Sequence, residues 1–203
     1  FEGKTISIPH TLLISAIGVM EDVNRAISMD FKKAGDLIYL AGTTQSELGG
    51  SEYFRLYGFI GNKVPKVNPG RGKKLMDSLS KATEKGLIRA CHDCSEGGIG
   101  VALAEMAFAG GLGAVISLKS VPLGEPIDRD DVILFSESNT RFLVEVATEN
   151  KDEFEQIMSN ADLATIGQVT ESETLEIYGA DGRKVLVASL GELKETWQRP
   201  IRW

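Results

Sequence analysis

Short apolar runs and amphipathic stretches follow one another along the chain, and together they predict a domain built from both strands and helices. Apolar runs bounded by turn residues are typical of strands. Such runs lie at Thr11–Val19, Leu37–Ala41, Ile88–Cys91, Ala114–Leu118, Arg141–Ala147, Ala164–Val169, Thr174–Tyr178 and Lys184–Ala188. Arg141–Ala147 alternates strictly between apolar and polar residues, which predicts a strand with one wet face. The step Asp181-Gly182 predicts that the last two strands form a hairpin.

Apolar residues that recur every three or four positions predict helices between these strands. The clearest case is Lys73–Lys85, in which Leu75 and Leu79 share a face and Gly86 ends the helix. Further helices are expected at Glu21–Ser28, Asp152–Ser159 and Leu190–Gln198. One more begins after Ser51, which is placed as its N-cap, and another follows Gly98 and runs to about Ala109. Strands and helices do not alternate strictly. We therefore predict an α+β fold with α/β-like features, a single domain over residues 1–203 in which helices flank a mixed β-sheet.

Composition excludes several classes of protein. With 203 residues, 42% hydrophobic and 25% charged, the chain has a globular rather than a disordered composition. The net charge of −7 and the lack of a basic stripe argue against a nucleic-acid surface. The longest apolar stretches, Leu12–Val19 and Val101–Ala109, are shorter than the roughly 20 residues of a membrane span. Two cysteines do not make a disulfide framework and indicate a cytoplasmic protein. Because the chain opens on Phe1, we expect a domain of a longer polypeptide.

Two glycine-containing junctions are the first candidates for chemistry. The segment Leu48–Tyr53 follows a strand and places Ser51 at a helix start. The segment Asp93–Gly98 likewise lies between a strand and the start of a helix. Glycines at a helix N-terminus let backbone N–H groups approach an anion, and an aspartate there suits Mg²⁺ held between phosphates. Capping turns of this kind are also abundant for purely structural reasons, so both interpretations stay open.

Three other patterns are less specific. Cys91 and Cys94 have the spacing of a redox or zinc pair, but His10 and His92 are the only histidines and there is no third cysteine. A core role is therefore favoured for Cys91, and Cys94 is interpreted as incidental. Gly70–Lys74 has a composition that suits phosphate but lacks a preceding strand, and we discount it. The polar run Ser136–Arg141 before a strand suits either ligand hydroxyls and phosphate or a local turn.

Taken together and in order, four segments carry a specific resemblance. They are Gly35–Leu40, Glu47–Tyr53, His92–Gly98 with Ala102–Ala107, and Ser136–Phe142. This succession resembles phosphoribosylformylglycinamidine synthase, and more narrowly the last domain of its large synthetase subunit. The similarity covers nearly the whole chain.

The resemblance implies a fold, a reaction and partners. The family's large subunit has two halves, each with an A-type and a B-type domain, and this chain is similar to the C-terminal B-type domain. The implied reaction is an ATP-dependent C–N ligation with Mg²⁺, in which glutamine-derived ammonia converts formylglycinamide ribonucleotide to formylglycinamidine ribonucleotide in purine biosynthesis. The implied partners are the upstream domains of the same polypeptide, a glutaminase subunit and a small accessory subunit. Most ATP contacts and the catalytic histidine belong to A-type domains. No residue here is therefore expected to be catalytic, and the isolated fragment is expected to be inactive.

Family motifs map only partly onto this chain. The glutamine, aspartate and Glu-Ser-Gln run of the first B-type domain correspond to Gly49, Asp93 and Glu137-Ser138-Asn139. Gly49 lacks the side chain, and Asn139 is a shorter amide. The candidate substrate- or nucleotide-binding residues are Gly50, Ser51, Ser95, Gly97, Gly98, Glu137, Ser138 and Asn139, and the candidate metal ligand is Asp93.

Two alternatives to the ligase interpretation remain. The domain is a non-catalytic scaffold with a degenerate nucleotide or anion site, or it belongs to a related enzyme such as selenophosphate synthetase or thiamine monophosphate kinase. In all cases we expect the two junctions and Ser136–Arg141 to converge at one edge of the domain. We also expect the fragment to form a homodimer through an exposed apolar strip at Thr11–Val19.

Overall fold

The seven strands in the described part of the chain belong to one sheet. A computed structural model describes residues 3, 5 and 13–201. The strands are β1 (Leu37–Ala41), β2 (Ile88–Asp93), β3 (Gly113–Ser117), β4 (Phe142–Val146), β5 (Leu163–Thr170), β6 (Thr174–Tyr178) and β7 (Lys184–Ser189). The helices are α1 (Glu52–Leu56), α2 (Pro69–Glu84), α3 (Gly98–Gly110), α4 (Asp130–Phe135), α5 (Lys151–Ile157) and α6 (Leu190–Gln198).

The sheet is mixed, in the order β2-β4-β1-β5-β3-β6-β7. Neighbouring strands are antiparallel except β3 and β6, which are parallel. The hairpin that Asp181-Gly182 predicts is present between β6 and β7, and Gly182 has a φ of +82°, as a turn of this kind needs. The α+β fold with a mixed sheet is therefore confirmed.

Side chains of β1 alternate between two apolar layers, one on each face of the sheet. Ile38 and Leu40 belong to a cluster with residues of α3, and Tyr39 and Ala41 belong to a second cluster with residues of α2 and α5. Since successive side chains of a strand point to opposite faces, helices cover both sides of the central strands. In the described part of the chain, no helix is both long and apolar enough to cross a bilayer.

The prediction of a wet face on β4 is wrong. Leu143, Val144, Glu145 and Val146 are all fully buried, because β4 lies between β2 and β1 with helices on both sides. An acidic residue stands at the buried position 145 because its side chain has a structural role. Its two carboxylate oxygens accept the backbone N–H groups of Lys32 and Lys33 at 2.8 and 2.9 Å, which holds the turn before β1.

The first predicted strand is also not observed. Residues 13–19 have no regular secondary structure and are exposed, while Thr11 and Leu12 lie outside the described residues. In place of a helix over Glu21–Ser28 there is one 3₁₀ turn, Val23–Arg25, which the Asp22 side chain caps. A strand needs a neighbour for its backbone groups, and a run of β-branched residues cannot supply one.

Other sequence expectations agree closely with the structure. β1, β6 and α6 have their predicted bounds, and Ser51 caps α1 as expected. Helix α2 ends before Gly86 but starts at Pro69, four residues before the predicted Lys73, because the Asn68 side chain accepts the Arg71 N–H and Pro69 occupies the first turn.

Candidate functional site

The segments singled out in the sequence lie at one edge of the sheet. Phe142 at the start of β4 pairs with Ala41 at the end of β1 and with Asp93 at the end of β2. Leu163 at the start of β5 pairs with Ala41 from the other side. Loops that leave β1 and β2 therefore meet the loop that enters β4, and the expected convergence of these three segments is observed.

Glu137 joins the two glycine-containing junctions. Its Oε1 accepts the backbone N–H of Glu52, at the start of α1, at 3.0 Å. The same atom accepts the backbone N–H of Gly97, before α3, at 2.9 Å. A carboxylate is stabilising at helix N-termini, because the first N–H groups have no partner inside the helix. In this structure a residue of the protein occupies the donors that an anionic ligand would otherwise use.

The glycines of the second junction have a packing role. Gly97 and Gly98 have φ values of +77° and +62° and are buried. A Cβ atom on Gly98 would overlap the carbonyl oxygen of Ser136 and lie 2.7 Å from that of Leu134. At the first junction, Ser51 caps α1 and donates to the Leu48 carbonyl at 2.7 Å. The exposed Gly50 donates its N–H to the Ile60 carbonyl at 2.6 Å.

Arg141 fixes the polar run before β4 through hydrogen bonds from its buried guanidinium. Its guanidinium is buried and donates to the carbonyl oxygens of Ser138 and Ser136 at 2.9 and 2.5 Å, and to Oγ1 of Thr44 at 3.0 Å. Burial lowers the pKa of this guanidinium from its ordinary value. The Ser138 hydroxyl in turn accepts the Gln45 N–H at 3.0 Å, so the loops after β1 and before β4 are fixed together.

Beside these loops lies a polar cleft of about 290 Å³. Ser138, Asn139 and Thr140 form one wall, and the loop after β1 and residues 160–162 form others. The remaining wall is the first turns of α2 and the loop before it, which contribute Lys66, Asn68, Arg71, Gly72, Lys74 and Leu75. The discounted Gly70–Lys74 segment therefore faces the same cleft as Ser138 and Asn139, although no strand precedes it.

Thr140 gives the cleft a fixed wall. Its φ of +60° is a left-handed conformation that is rare for a β-branched residue. The Thr140 carbonyl packs so closely on Gly42 that a Cβ atom there would overlap it, and the Thr140 side chain lies 3.4 Å from the Cβ position of Gly72. A side chain at position 42 would enter this contact, whereas a Cβ atom at position 72 would be in ordinary van der Waals contact with Thr140.

Asp93, the candidate metal ligand, lies outside the cleft lining. Its side chain is exposed, and it accepts a hydrogen bond from Ser95 Oγ and lies 3.5 Å from His92 Nδ1. The bond from Ser95 lowers the pKa of Asp93. Among the described residues no three His, Cys, Asp or Glu side chains form a metal-binding group. A lone carboxylate is not a magnesium site, since Mg²⁺ takes its other ligands from phosphate and water. Metal binding by Asp93 stays a prediction.

The two cysteines are placed for packing. Cys94 belongs to the core and Cys91 is partly buried, both are free thiols, and burial raises their pKa values to about 12 and about 11. Thiols with pKa values in this range are poor nucleophiles and poor metal ligands at neutral pH. The expected core role suits Cys91 and is extended to Cys94, which the sequence had suggested was incidental.

Gly49 closes the position at which the family motif has a glutamine. A Cβ atom there would lie 2.7–2.9 Å from the backbone of Lys63. The Gly49 N–H also donates to the Lys63 carbonyl at 2.9 Å. Main chain of Lys63 thus fills the space that a side chain at position 49 would need.

Comparison with known proteins identifies the family. The model of the family described as "AIR synthase related protein, C-terminal domain" matches residues 33–180. The chain belongs to this family. The resemblance drawn from the motifs is therefore confirmed.

Curated relatives extend the match to nearly the whole chain. A phosphoribosylformylglycinamidine synthase subunit PurL from Alkaliphilus metalliredigens is 35% identical over 199 residues, which are 97% of this chain and 26% of that protein. The PurL subunit from Thermoanaerobacter sp. strain X514 is 36% identical over 205 residues, covering 100% of this chain and 27% of that protein. The chain thus spans about a quarter of the length of these relatives.

Solved structures share the fold. T. maritima PurL complexed with FGAR has a TM-score of 0.74 and 22% identity, over 84% of this chain and 30% of that one. E. coli HypE, a hydrogenase maturation protein, has a TM-score of 0.60 and 20% identity, over 80% of this chain and 52% of that one. At these identities the likeness is one of fold.

Proposed function

We propose that this chain is the C-terminal B-type domain of a phosphoribosylformylglycinamidine synthase, a C–N ligase of purine biosynthesis. The observation that carries the proposal is 35% identity to PurL subunits over nearly the whole chain, within an established family match. In the proposed enzyme, ATP and Mg²⁺ are bound with the help of the upstream domains. A glutaminase subunit supplies ammonia, a small accessory subunit is the other partner, and the assembly works in the cytoplasm. A solved structure of PurLQS from T. maritima is consistent with partner subunits for that protein.

Within this proposal the eight candidate residues have different tasks. Ser138 and Asn139 line the cleft and are the proposed ligand contacts. Glu137, Gly97, Gly98 and Ser51 position the junctions, and Gly50 belongs to the same turn. Ser95 orients Asp93, which is proposed to meet Mg²⁺ only when a phosphate supplies the other ligands.

A scaffold role is the second candidate, and two observations favour it. Residue 49 has no space for the family's glutamine, and the Glu137 carboxylate already binds two backbone donors. A domain with this geometry can stabilise the enzyme without contacting the reacting groups.

A chimeric enzyme tests both functions. The matching quarter of the Alkaliphilus subunit would be replaced by this chain, and ADP release would be measured with formylglycinamide ribonucleotide and ammonia. We expect substrate-dependent ADP release from the chimera and none from the 203-residue chain alone. A chimera that folds but releases no ADP would contradict the ligase proposal. Replacing Asn139 with Ala in an active chimera separates the two roles, since a ligand contact lowers turnover and a scaffold leaves it unchanged.

A further inference from the structure

Three cations on the rim of the cleft form no ion pair with any acidic residue that the structure describes. Lys66, Arg71 and Lys74 line the cleft, and their side chains take part in none of the ion pairs found among the described residues. Nearby lysines differ, since Lys63 is bound to Glu125 and Lys73 to Asp77. In a chain of net charge −7, three unpaired cations around one concave surface are a local excess of positive charge.

The two acids of the cleft are already engaged. Glu47 is buried, and its Oε1 accepts the Lys66 N–H at 3.2 Å. Asp162 accepts the Thr43 hydroxyl at 2.6 Å. Neither carboxylate forms an ion pair with the rim cations in the described part of the chain, but both keep their charge, so the lining has a net charge of +1 that is available to a ligand.

A fourth cation lies behind the same wall. The buried Arg141 guanidinium is bound to two carbonyls and one hydroxyl, and within the described ranges it forms no ion pair with a carboxylate. Buried charges are normally paired, because taking them out of water is costly. Its partners Ser136 and Ser138 belong to the loop that forms the cleft wall, and its Cγ lies 3.1 Å from the Cβ position of Gly42 in the cleft. Glu47 and Glu137 lie close enough to interact electrostatically with this guanidinium, and an anion in the cleft would offset its charge further.

Apart from Leu75, Ala161 and two glycines, the rest of the lining is polar and uncharged. Asn68, Asn139 and Asn160 contribute amides, and Thr43, Ser138 and Thr140 contribute hydroxyls. Amides and hydroxyls both donate and accept hydrogen bonds, which suits the hydroxyls of a sugar. A volume of about 290 Å³ is at the lower end for small-molecule sites.

We infer that this cleft binds a phosphorylated sugar, with the phosphate on Arg71, Lys74 and Lys66 and the sugar against the amide side chains. This inference rests on the proposed function in that it takes the cleft as the ligand site of a ribonucleotide enzyme. It assigns the anion to α2 and the loop before it rather than to the glycine-containing junctions, where Glu137 occupies the donors.

Calorimetric titration of the 203-residue chain tests the inference with ribose 5-phosphate, inorganic phosphate and ribose as probes. We expect ribose 5-phosphate to bind at least fivefold more tightly than phosphate, ribose not to bind, and the affinity to fall as salt is raised. Arg71→Ala and Lys74→Ala should each weaken binding of ribose 5-phosphate about tenfold, which one lost phosphate contact of about 1.4 kcal/mol would give.

Lys73→Ala is the matched control. Lys73 lies on the same helix between the two test positions, but its ammonium is bound to Asp77 at 2.7 Å and it does not line the cleft. The affinity of the Lys73→Ala variant for ribose 5-phosphate should stay within twofold of that of the unmodified chain. Absence of ribose 5-phosphate binding, equal loss in all three variants, or equal affinity for phosphate and ribose 5-phosphate would each overturn the inference. Binding that persists while the chimera is inactive would contradict the proposed reaction and leave this site in place.

Discussion

Glu137 accepts the backbone N–H of Gly97 at 2.9 Å, although 40 residues separate them in the chain. The same carboxylate oxygen holds the start of α1 through Glu52. A family motif that suggests ligand binding therefore has, in this chain, a structural use that joins two helix starts.

Glu137→Ala is expected to destabilise the fold, because it leaves two partly buried N–H groups without an acceptor. Hydrogen bonds to a charged group contribute about 1.5–3 kcal/mol each, so we expect a loss of about 2–4 kcal/mol in the free energy of unfolding. Denaturant unfolding followed by circular dichroism measures it. Glu137→Gln keeps the oxygen and should lose less than half as much, and Glu96→Ala, an exposed acid of the same junction, should lose almost nothing. A stable Glu137→Ala variant would show that the carboxylate is not needed for the fold.

Gly49→Ala is expected to destabilise the protein by about 1–3 kcal/mol, because its Cβ would lie 2.7–2.9 Å from main-chain atoms of Lys63 that cannot move independently. Thermal unfolding provides the measurement. Gly191→Ala is the control, since nothing lies within 4 Å of its Cβ position and it is in α6. That substitution should be neutral or stabilise by up to about 1 kcal/mol. If both variants melt alike, position 49 has room for a side chain.

Local signals in the sequence were sufficient for much of the fold. Ser51 marks a helix start through its side chain, which accepts the Phe54 N–H, and Gly86 marks a helix end through its positive φ. The Asp181-Gly182 step marks a hairpin through its turn geometry. Such features depend on a few neighbouring residues. They can therefore be read without knowing what lies across the fold.

Features that depend on distant partners could not be predicted in this way. The alternation in β4 resembles that of a half-exposed strand, but Glu145 is buried because the N–H groups of Lys32 and Lys33 bind it from 112 and 113 residues away. The cleft was missed for the same reason. Arg71 follows a loop rather than a strand, and only the tertiary fold brings it beside Asn139. The available signal was the composition of Gly70–Lys74, which suits phosphate but was discounted because no strand precedes it.

Self-association of the 203-residue chain is expected through the exposed apolar residues before β1. Leu13, Ile17 and Val19 are 87%, 97% and 98% exposed, and residues 13–19 form no strand pairing. Large apolar side chains exposed in this density favour association. Sedimentation at increasing concentration should show a dimer that the double substitution Ile17→Ser and Val19→Ser weakens. Val187→Ser, on the edge strand β7, should leave it unchanged. Loss of the dimer with Val187→Ser alone would place the contact at the sheet edge instead.

The stability of the protein is expected to fall as the pH rises from about 4.5 to about 7. Burial, with Asp36 close by, raises the pKa of Glu145 from its ordinary value of 4.5 to about 7, although the N–H groups of Lys32 and Lys33 oppose the shift. The folded state therefore binds this proton more tightly than the unfolded state. The contribution of this proton to the free energy of unfolding is complete below pH 4.5 and is lost as the pH rises through the folded pKa. In total it amounts to on the order of 3 kcal/mol.

Urea unfolding at several pH values between 4 and 8 would measure this slope, and Glu145→Gln is the variant that isolates it. A glutamine cannot titrate, so the difference in stability between the two proteins should change with pH over that interval. The variant should also be less stable at pH 5 by about 1–3 kcal/mol, because its amide nitrogen cannot accept one of the two backbone N–H groups. Glu84→Gln, an exposed substitution on α2, should run parallel to the unmodified chain throughout. If Glu145→Gln runs parallel as well, the buried carboxyl keeps the same affinity for its proton in the folded and unfolded states, and the pH dependence of this fold must come from other groups.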